Sequence, residues 1–280
     1  DDPFPSRYKA ASPDDMLHKG ATILDGAGGR IEGGDVLVRG GRIVAVGKAL
    51  SNPGVREVDA AGRWITPGVI DVHSLDAPFA PPPTGTDREA SDVSEVASPN
   101  SADTWIETAV NAQDMAFDRA LANGVTTIQI LPGSTPIFAG RSVVVKPVRA
   151  PTVWDMKVVG SVQGFKMACG ENPKSWGADD DNEGPTSRQG VISYMRQQFA
   201  DAQRYKRAVE QARASGRAMP PRDYKREAVA GILAGDVRVN LHCYRAGDIG
   251  AVLSVAKEFG VRIGAIHHAT EAYKIPGLLR

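Results

Sequence analysis

Short runs of apolar and β-branched residues recur along the chain and divide it into two parts. In the first part the runs stand close together between glycine-rich turns, at 21–25, 35–39, 42–46 and 56–59. This spacing is too tight for helical crossovers and predicts a small antiparallel β domain of the β-sandwich type. Residues 1–20 are polar and turn-prone, so we expect a surface arm there, and arm and β-sandwich together occupy residues 1–66.

From Pro67 onward the apolar runs stand farther apart. Strands are predicted at 69–72, 125–131, 142–146, 164–168, 237–242 and 261–266, the first of them buried. Helices are predicted between them at 105–123, 187–217 and 247–259, and a Pro- and Ser-rich stretch at 77–104 lacks periodicity. This α/β pattern predicts about six strands over residues 67–280, in a parallel barrel or an open sheet. A closed eight-stranded barrel needs about two more units.

Composition narrows the classes of function. Lys plus Arg and Asp plus Glu both number 33, so the net charge is zero, and neither a nucleic-acid nor a membrane partner is indicated. No apolar run approaches the roughly 18 residues that span a bilayer. The two cysteines, Cys169 and Cys243, exclude a disulfide scaffold and leave the compartment open between bacterial cytoplasm and periplasm. We interpret them as buried small hydrophobic residues, with a catalytic thiol as the alternative.

Histidines stand at the predicted C-terminal ends of three strands. His73 follows the run at 69–72, His242 ends the fifth strand, and His267 and His268 end the sixth. In a parallel α/β barrel this end of the strands carries the chemistry, and neutral imidazole is a common ligand of divalent transition metals. A single histidine at a strand end is ordinarily a structural residue, whereas a set on three strands predicts a metal centre.

Lys166 and Glu171 are alternative further ligands near the end of the fourth strand. A lysine in an apolar strand is costly to bury, so an outward-facing edge position is its ordinary interpretation. Lys166 could instead be carbamylated by CO₂, which would give it a carboxylate-like oxygen donor. Glu171 competes with it as an oxygen ligand.

The residues after His73 lack the second ligand that a complete metal site would need there. Strand alternation would place a partner ligand two residues later, but that position holds Leu75, which cannot bind a metal. Asp76 could supply an oxygen in its place only if the strand ends before it.

Motifs in order along nearly the whole chain resemble the metal-dependent amidohydrolase superfamily, specifically its imidazolonepropionase-like branch. The motifs are ATILDG (21–26), GDVLV (34–38), RIVAVG (42–47), PGVIDVHS (67–74), GVTT (124–127), KMACGENPK (166–174), HCYRAGD (242–248) and HATEAYK (268–274).

This resemblance implies a TIM-like (β/α) barrel, incomplete at the C-terminus, with a small N-terminal β-sandwich domain. It implies an enzyme that hydrolyses a C–N bond of a small-molecule amide, cyclic amide or peptide. One or two divalent ions, in the first place zinc, would lower the pKa of a bound water and polarise the scissile carbonyl. The matched motifs make His73, Lys166, His242 and His268 the metal ligands, with His267 replacing His268 if the register differs by one.

Two departures from the family pattern favour an alternative function. Leu75 stands where the second histidine of the family's His-x-His motif is expected. The eighth-strand aspartate, which is both ligand and proton shuttle, would lie beyond Arg280, so the catalytic residue is left unassigned. The alternative is a degenerate amidohydrolase-fold protein that binds a ligand or partner without catalysis. Open strand edges also predict a homo-oligomer or association with a missing C-terminal segment.

Overall fold

The computed structural model of the protein describes residues 2–11, 13–79, 91–177 and 183–279, and these form two compact units. The smaller unit is Tyr8–Val69, and the larger combines the N-terminal arm up to Arg7 with the chain from Ile70 onward. Residues 80–90 of the Pro- and Ser-rich stretch lie outside the described residues. Within the described ranges, every helix is too short or too polar to cross a lipid bilayer.

A five-stranded mixed sheet forms the smaller unit. Its central strand β1 (Met16–Leu24) pairs antiparallel with β2 (Arg30–Arg39), which pairs antiparallel with β3 (Arg42–Gly47). On the other side, β4 (Arg56–Asp59) and β5 (Trp64–Ile65) pair with β1 in parallel. The strands form where predicted, but the sheet is not purely antiparallel, and β1 begins inside the segment expected to be an arm. The described residues of this unit form a single sheet, without the second layer of a sandwich.

The six strands predicted for the larger unit are present, together with one that was not predicted. In chain order they are β6 (Val69–Ser74), β7 (Val125–Ile130), β8 (Phe138–Arg141), β9 (Val143–Val145), β10 (Gly164–Ala168), β11 (Arg238–Cys243) and β12 (Ile263–His268). They form one sheet of order β6-β7-β9 and another of order β12-β11-β10-β8. The unpredicted strand is β8, which is short and contains a glycine.

Strands β8 and β9 depart from the parallel arrangement expected from the sequence. β10, β11 and β12 are mutually parallel, whereas β8 is antiparallel to β10 and β9 is antiparallel to β7. Residues 131–142, which connect β7 to its partner β9, contain no helix, whereas a parallel crossover usually contains one. A single residue, Ser142, separates β8 from β9, so this stretch links the two sheets. Among the described strands, β6 and β12 are outer strands of their two sheets, and the sheets do not close into a barrel.

Five α-helices lie within the described part of the larger unit. They are α1 (Met115–Ala122), α2 (Glu171–Gly177), α3 (Arg188–Ser215), α4 (Tyr224–Ala234) and α5 (Ala246–Phe259). The predictions of α3 and α5 are confirmed, and α5 ends at the expected left-handed Gly260. The single helix predicted at 105–123 is wrong in its first half. A 3₁₀ turn occupies Ile106–Ala109, and the Asp114 side chain caps a new helix by accepting the N–H of Ala116.

The main hydrophobic core lies between the β10–β12 sheet and helices α3, α4 and α5. Phe165 and Met167 of β10 are fully buried in it, and Phe138 contacts Phe165 and Phe199 with ring centroids 6.5 and 5.4 Å apart. Because strand residues alternate between faces, Lys166 and Ala168 project to the opposite side of the sheet. The sheet therefore has an apolar face toward the helices and a polar face opposite.

Strand β6 is less buried than its apolar pattern predicts. It lies at the end of its sheet among the described strands, and Ile70 and Val72 are 63% and 58% exposed. An apolar strand edge of this kind agrees with the expected self-association, which stays a prediction.

A buried ion pair attaches the N-terminal arm to the larger unit. Lys157 Nζ donates to Asp2 Oδ2 at 2.7 Å, to the Phe4 carbonyl oxygen at 2.7 Å and to Glu107 Oε1 at 3.1 Å. Glu107 is buried, and burial raises the pKa of its carboxyl while Lys157 lowers it. The charge on Glu107 therefore depends on the neighbouring ammonium.

We expect Lys157→Met to lower the free energy of unfolding by about 3–5 kcal/mol at pH 7, because it leaves the Glu107 carboxylate buried without its counter-ion. A carboxyl whose folded-state pKa is raised stabilises the fold fully below its unfolded pKa and loses this contribution as the pH rises. The loss of unfolding free energy caused by Lys157→Met should therefore be smaller near pH 4.5, the ordinary pKa of a glutamate. Urea unfolding at the two pH values measures both effects.

Two further variants test the physical reason for this loss. The double variant Lys157→Met/Glu107→Leu should recover most of the stability, since no buried charge remains. Arg149→Met, which removes an exposed ion pair with Asp118, should change stability little. A Lys157→Met protein as stable as wild type at pH 7 would contradict the role of Lys157 as the counter-ion of the buried Glu107 carboxylate.

Candidate functional site

Ionisable side chains gather on the polar face of the sheet, at the C-terminal ends of its parallel strands. The register places Ala168 of β10 beside His242 of β11, and His242 beside His267 of β12. Paired residues of parallel strands project to one face, so His242 and His267 lie on the same side. Lys166 projects to that face as well, because it lies two residues before Ala168.

A left-handed backbone brings His268 to the same side. In a regular strand His267 and His268 would point to opposite faces. His268 has a φ of 65° and Ala269 a φ of 45°, values that strain residues other than glycine. The Ala269 N–H donates to the carbonyl oxygens of Cys243 at 2.9 Å and His267 at 2.8 Å, which holds this turn. As a result the His268 ring centroid lies 4.5 Å from that of His242.

Strand β6 supplies the remaining histidine of the cluster. The ring centroid of His73 lies 4.4 Å from that of His267 and 5.0 Å from that of His268. The backbone N–H of His73 donates to Asp71 Oδ1 at 3.0 Å, so Asp71 serves the strand locally. The structure thus brings together the four rings of His73, His242, His267 and His268, which we call the histidine cluster. Leu75 and Asp76 lie just beyond the end of β6.

Lys166 is fully buried beside this cluster. Its Nζ donates to the Pro132 carbonyl oxygen at 3.0 Å, and burial lowers its pKa to about 8. Its positive charge contributes to lowering the pKa of all four clustered histidines. The outward-facing edge position considered for Lys166 is therefore wrong.

Burial keeps the clustered imidazoles neutral at physiological pH. It lowers the pKa of His73 and His242 to about 3 and that of His267 to about 4, with neighbouring positive charges acting in the same direction. The pKa of His268 is also lowered, first by burial and then by Lys166. A neutral imidazole is the protonation state that binds metals.

The two ring nitrogens of His242 lack hydrogen-bond partners among the described residues. The residue is 1% exposed, and both Nδ1 and Nε2 are buried without a hydrogen-bond partner in the part of the chain that the structure describes. A buried polar atom without a partner costs about 1–3 kcal/mol, so an orphaned pair needs an explanation. A divalent metal ion fits these neutral nitrogen donors chemically.

The donors do not yet form a complete coordination set. In the described ranges, no three His, Cys, Asp or Glu side chains stand as a group that could hold a metal ion. The rings of the histidine cluster meet edge to face, and His267 Nε2 is held by Asn240 Oδ1 at 2.9 Å. The donor atoms of the histidine cluster are therefore of the type that binds a metal ion, but they are not arranged in a preformed coordination geometry.

Glu171, the alternative to Lys166, is engaged elsewhere. Its Oε1 pairs with the guanidinium of Arg188, whose Nε also donates to Asp248 Oδ2 at 3.0 Å. This ion-pair group ties the start of α2 to α3 and α5 and holds the Glu171 carboxylate in a contact outside the histidine cluster.

Cys169 and Cys243 are buried, as predicted, but they form a disulfide. They follow the paired residues Ala168 and His242 on adjacent parallel strands, and their Cα atoms lie 5.3 Å apart, within disulfide range. The bond ties together the strand ends that carry Lys166 and His242. The prediction that they are buried is confirmed, whereas the alternative of a catalytic thiol is wrong, because both sulfur atoms are in the disulfide.

Asn240 and Tyr244 also belong to the site, although the sequence analysis did not single them out. Each lies two residues from His242. Asn240 holds His267 Nε2, and the Tyr244 ring lies 4.6 Å from that of His242 and 5.4 Å from that of His268. The period of two along a strand is the signal that could have found them.

Comparison with known proteins places this geometry in a family. No protein-family model matches the chain. It is similar to the crystal structure of an amidohydrolase from Thermotoga maritima MSB8, with 33% identity and a TM-score of 0.86, over 94% of this chain and 67% of that one. Among curated proteins, amidohydrolase tasK of Hapsidospora irregularis is 29% identical over 269 residues, which cover 88% of this chain and 27% of tasK. An imidazolonepropionase of Mesorhizobium japonicum is 44% identical over 61 residues, 19% of this chain and 15% of that protein.

The chain spans about a quarter of the length of tasK and two thirds of the Thermotoga maritima amidohydrolase. Its likeness to the latter extends over nearly all of its own residues and includes both fold and sequence. The chain belongs to the amidohydrolase superfamily.

Proposed function

We propose that this chain carries the metal centre of an enzyme that hydrolyses a C–N bond in a small amide, cyclic amide or peptide. The observation that supports it most is His242, whose two ring nitrogens are buried without partners among neutral imidazoles. The relatives named amidohydrolase and imidazolonepropionase support the same class of reaction.

His73, Lys166, His242 and His268 would hold one or two divalent ions, with zinc as the expected metal. Because the imidazole pKa values are depressed, no proton has to leave these rings at neutral pH before they bind a metal. His268 is preferred to His267, whose Nε2 is already engaged by Asn240. An ion held there would lower the pKa of a water and polarise the scissile carbonyl.

Lys166 is proposed as a ligand in its carbamylated form. The neutral amine adds to the carbon of CO₂. The N–C bond forms as one C=O π bond breaks and leaves its electron pair on oxygen, and the nitrogen releases one proton. The pKa of about 8 leaves part of Lys166 neutral at physiological pH. The product replaces an ammonium, which repels a metal ion, with an anionic oxygen donor, which binds it. Glu171 is the weaker alternative, because it is paired with Arg188.

A degenerate protein that binds a ligand or partner without catalysis is the second candidate. Two observations favour it. Leu75 occupies the place of a second β6 ligand, and the described residues contain no preformed group of three donors.

Metal binding is the first test. Protein equilibrated with zinc chloride and then freed of excess metal should retain one or two ions per chain. His242→Ala should weaken zinc binding by more than the roughly 10–100-fold typical of a lost outer-shell partner, because it removes a direct ligand. Elemental analysis gives the stoichiometry, and competition with a chromophoric chelator gives the affinity.

His18→Ala is the matched control, since His18 lies on β1 in the smaller unit and should leave zinc affinity unchanged. Equal zinc affinity in the His242→Ala protein and the wild type would rule out His242 as a ligand.

Turnover distinguishes the enzyme from the degenerate protein. Zinc-loaded protein is assayed for amine release from an N-acyl amino acid, a cyclic amide and a dipeptide. We expect hydrolysis of one class, loss of activity with a chelator and recovery with zinc. His268→Ala should lower kcat/KM at least a hundredfold, about 3 kcal/mol in the barrier, because it removes a ligand.

Zinc binding without turnover in all three classes would support the degenerate protein. Turnover that persists after the chelator has removed all metal would contradict a metal-dependent reaction.

Carbamylation of Lys166 has its own measurement. In ¹³C-bicarbonate, zinc-loaded protein should show a carbamate carbon resonance by NMR that Lys166→Arg abolishes. Lys257→Arg, a change at an exposed lysine of α5, should retain it. A resonance that survives Lys166→Arg would place the carbamate elsewhere.

A further inference from the structure

A cleft lies on the other side of the sheet from the histidine cluster. It has a volume of about 1330 Å³, and its walls include Trp105, Arg141, Gln163, Tyr205, Tyr224, Gly231 and Asp236. We call it the Arg141 cleft. Arg141 is level with Phe165 at the start of β10, whereas His242 is level with Ala168 at its end. Three residues of a strand separate the two sites by roughly 10 Å along the sheet, in addition to its thickness.

Arg141 lies partly buried in the wall of this cleft. Its Nε is buried and has no hydrogen-bond partner within the described ranges, and its Nη1 makes one long contact of 3.5 Å with Gln163 Oε1. Among the residues that the structure describes, no carboxylate forms an ion pair with it. Helix α4 lies close against the guanidinium, since a Cβ on Gly231 would be 3.5 Å from Nη2. Burial lowers the pKa of Arg141, and the charges of Asp236 and Asp2 act in the opposite direction.

The other basic side chains of the wall already have carboxylate partners. These pairs are Lys157 with Asp2, Lys206 with Glu210 and Arg222 with Glu227. Within the described wall, the cleft therefore offers a single unpaired guanidinium. One guanidinium matches one carboxylate, to which it can donate two parallel hydrogen bonds. A multiply charged anion such as phosphate would need further free cations.

Aromatic rings beside Arg141 define the rest of the ligand. Arg141 Cζ lies 5.3 Å from the ring centroid of Trp105, and Tyr205 and Tyr224 line the same space. A flat apolar group can stack on such walls while its charged end meets the guanidinium.

We propose that the Arg141 cleft binds a small organic carboxylate with a flat apolar body, recognised by the guanidinium of Arg141. The proposal is independent of the metal centre and of the reaction proposed for it. Asp236, which is exposed, and Asp2 both lie in the wall and attract the Arg141 charge without pairing with it, so both compete with the ligand.

Calorimetric titration of the full chain with benzoate tests this site. We expect one benzoate per chain, and benzamide, the neutral isostere, should bind at least tenfold more weakly. Arg141→Gln should weaken benzoate at least tenfold. Asp236→Asn should tighten it about two- to threefold, the size expected for removing one screened surface charge. Asp236→Asn changes an exposed residue and leaves Arg141 in place. It therefore tests the proposal even if the Arg141→Gln protein does not fold.

Two controls locate the binding. Arg149→Gln removes an exposed arginine outside the cleft, and His242→Ala alters the histidine cluster, so both should leave benzoate affinity unchanged. Equal binding of benzoate and benzamide, or full affinity in a folded Arg141→Gln protein, would overturn the proposal. So would weaker benzoate binding after Asp236→Asn, binding of inorganic phosphate in preference to benzoate, or loss of binding in His242→Ala alone.

Discussion

The alternation of side chains along β10, β11 and β12 is the constraint on which the larger unit depends. One set of residues, including Phe165 and Met167, forms the apolar core with the helices. The intervening set places Lys166, Asn240 and His242 on the opposite face, where they are also buried. Burial on both faces is ordinary for a parallel sheet, but polar residues on one of them are costly without partners. The orphaned nitrogens of His242 follow directly from this arrangement, as do the depressed pKa values around it.

Local backbone geometry then gathers the histidines that alternation alone would separate. The positive φ values of His268 and Ala269 turn the end of β12 so that His267 and His268 both face His73. This conformation is held by the Ala269 N–H, and the disulfide of Cys169 and Cys243 ties the neighbouring strand ends. Strain persists where the surrounding structure determines it, and such places are commonly functional.

The same sheet also explains the second cleft. Strand β8 runs antiparallel to β10, so its C-terminal residue Arg141 lies at the end of the sheet away from the histidines. Its pairing with Phe165 places it on the helix side of the sheet, where it lines the Arg141 cleft. Two desolvated basic groups, Lys166 and Arg141, thus occupy opposite faces of one sheet, the first among neutral imidazoles and the second among aromatic rings.

The sequence by itself determined six of the seven described strands of the larger unit, helices α3 and α5, and the position of histidines at strand ends. These follow from local periodicity, capping residues and turn glycines, which act over a few neighbouring residues. Only the tertiary structure decided the direction of β8 and β9, the turn that brings His268 inward, the disulfide and the unpaired state of Arg141. Each of these depends on strand register or on contacts between residues far apart in the chain. A local pattern holds no information about which distant partner a residue meets, or whether it meets one at all.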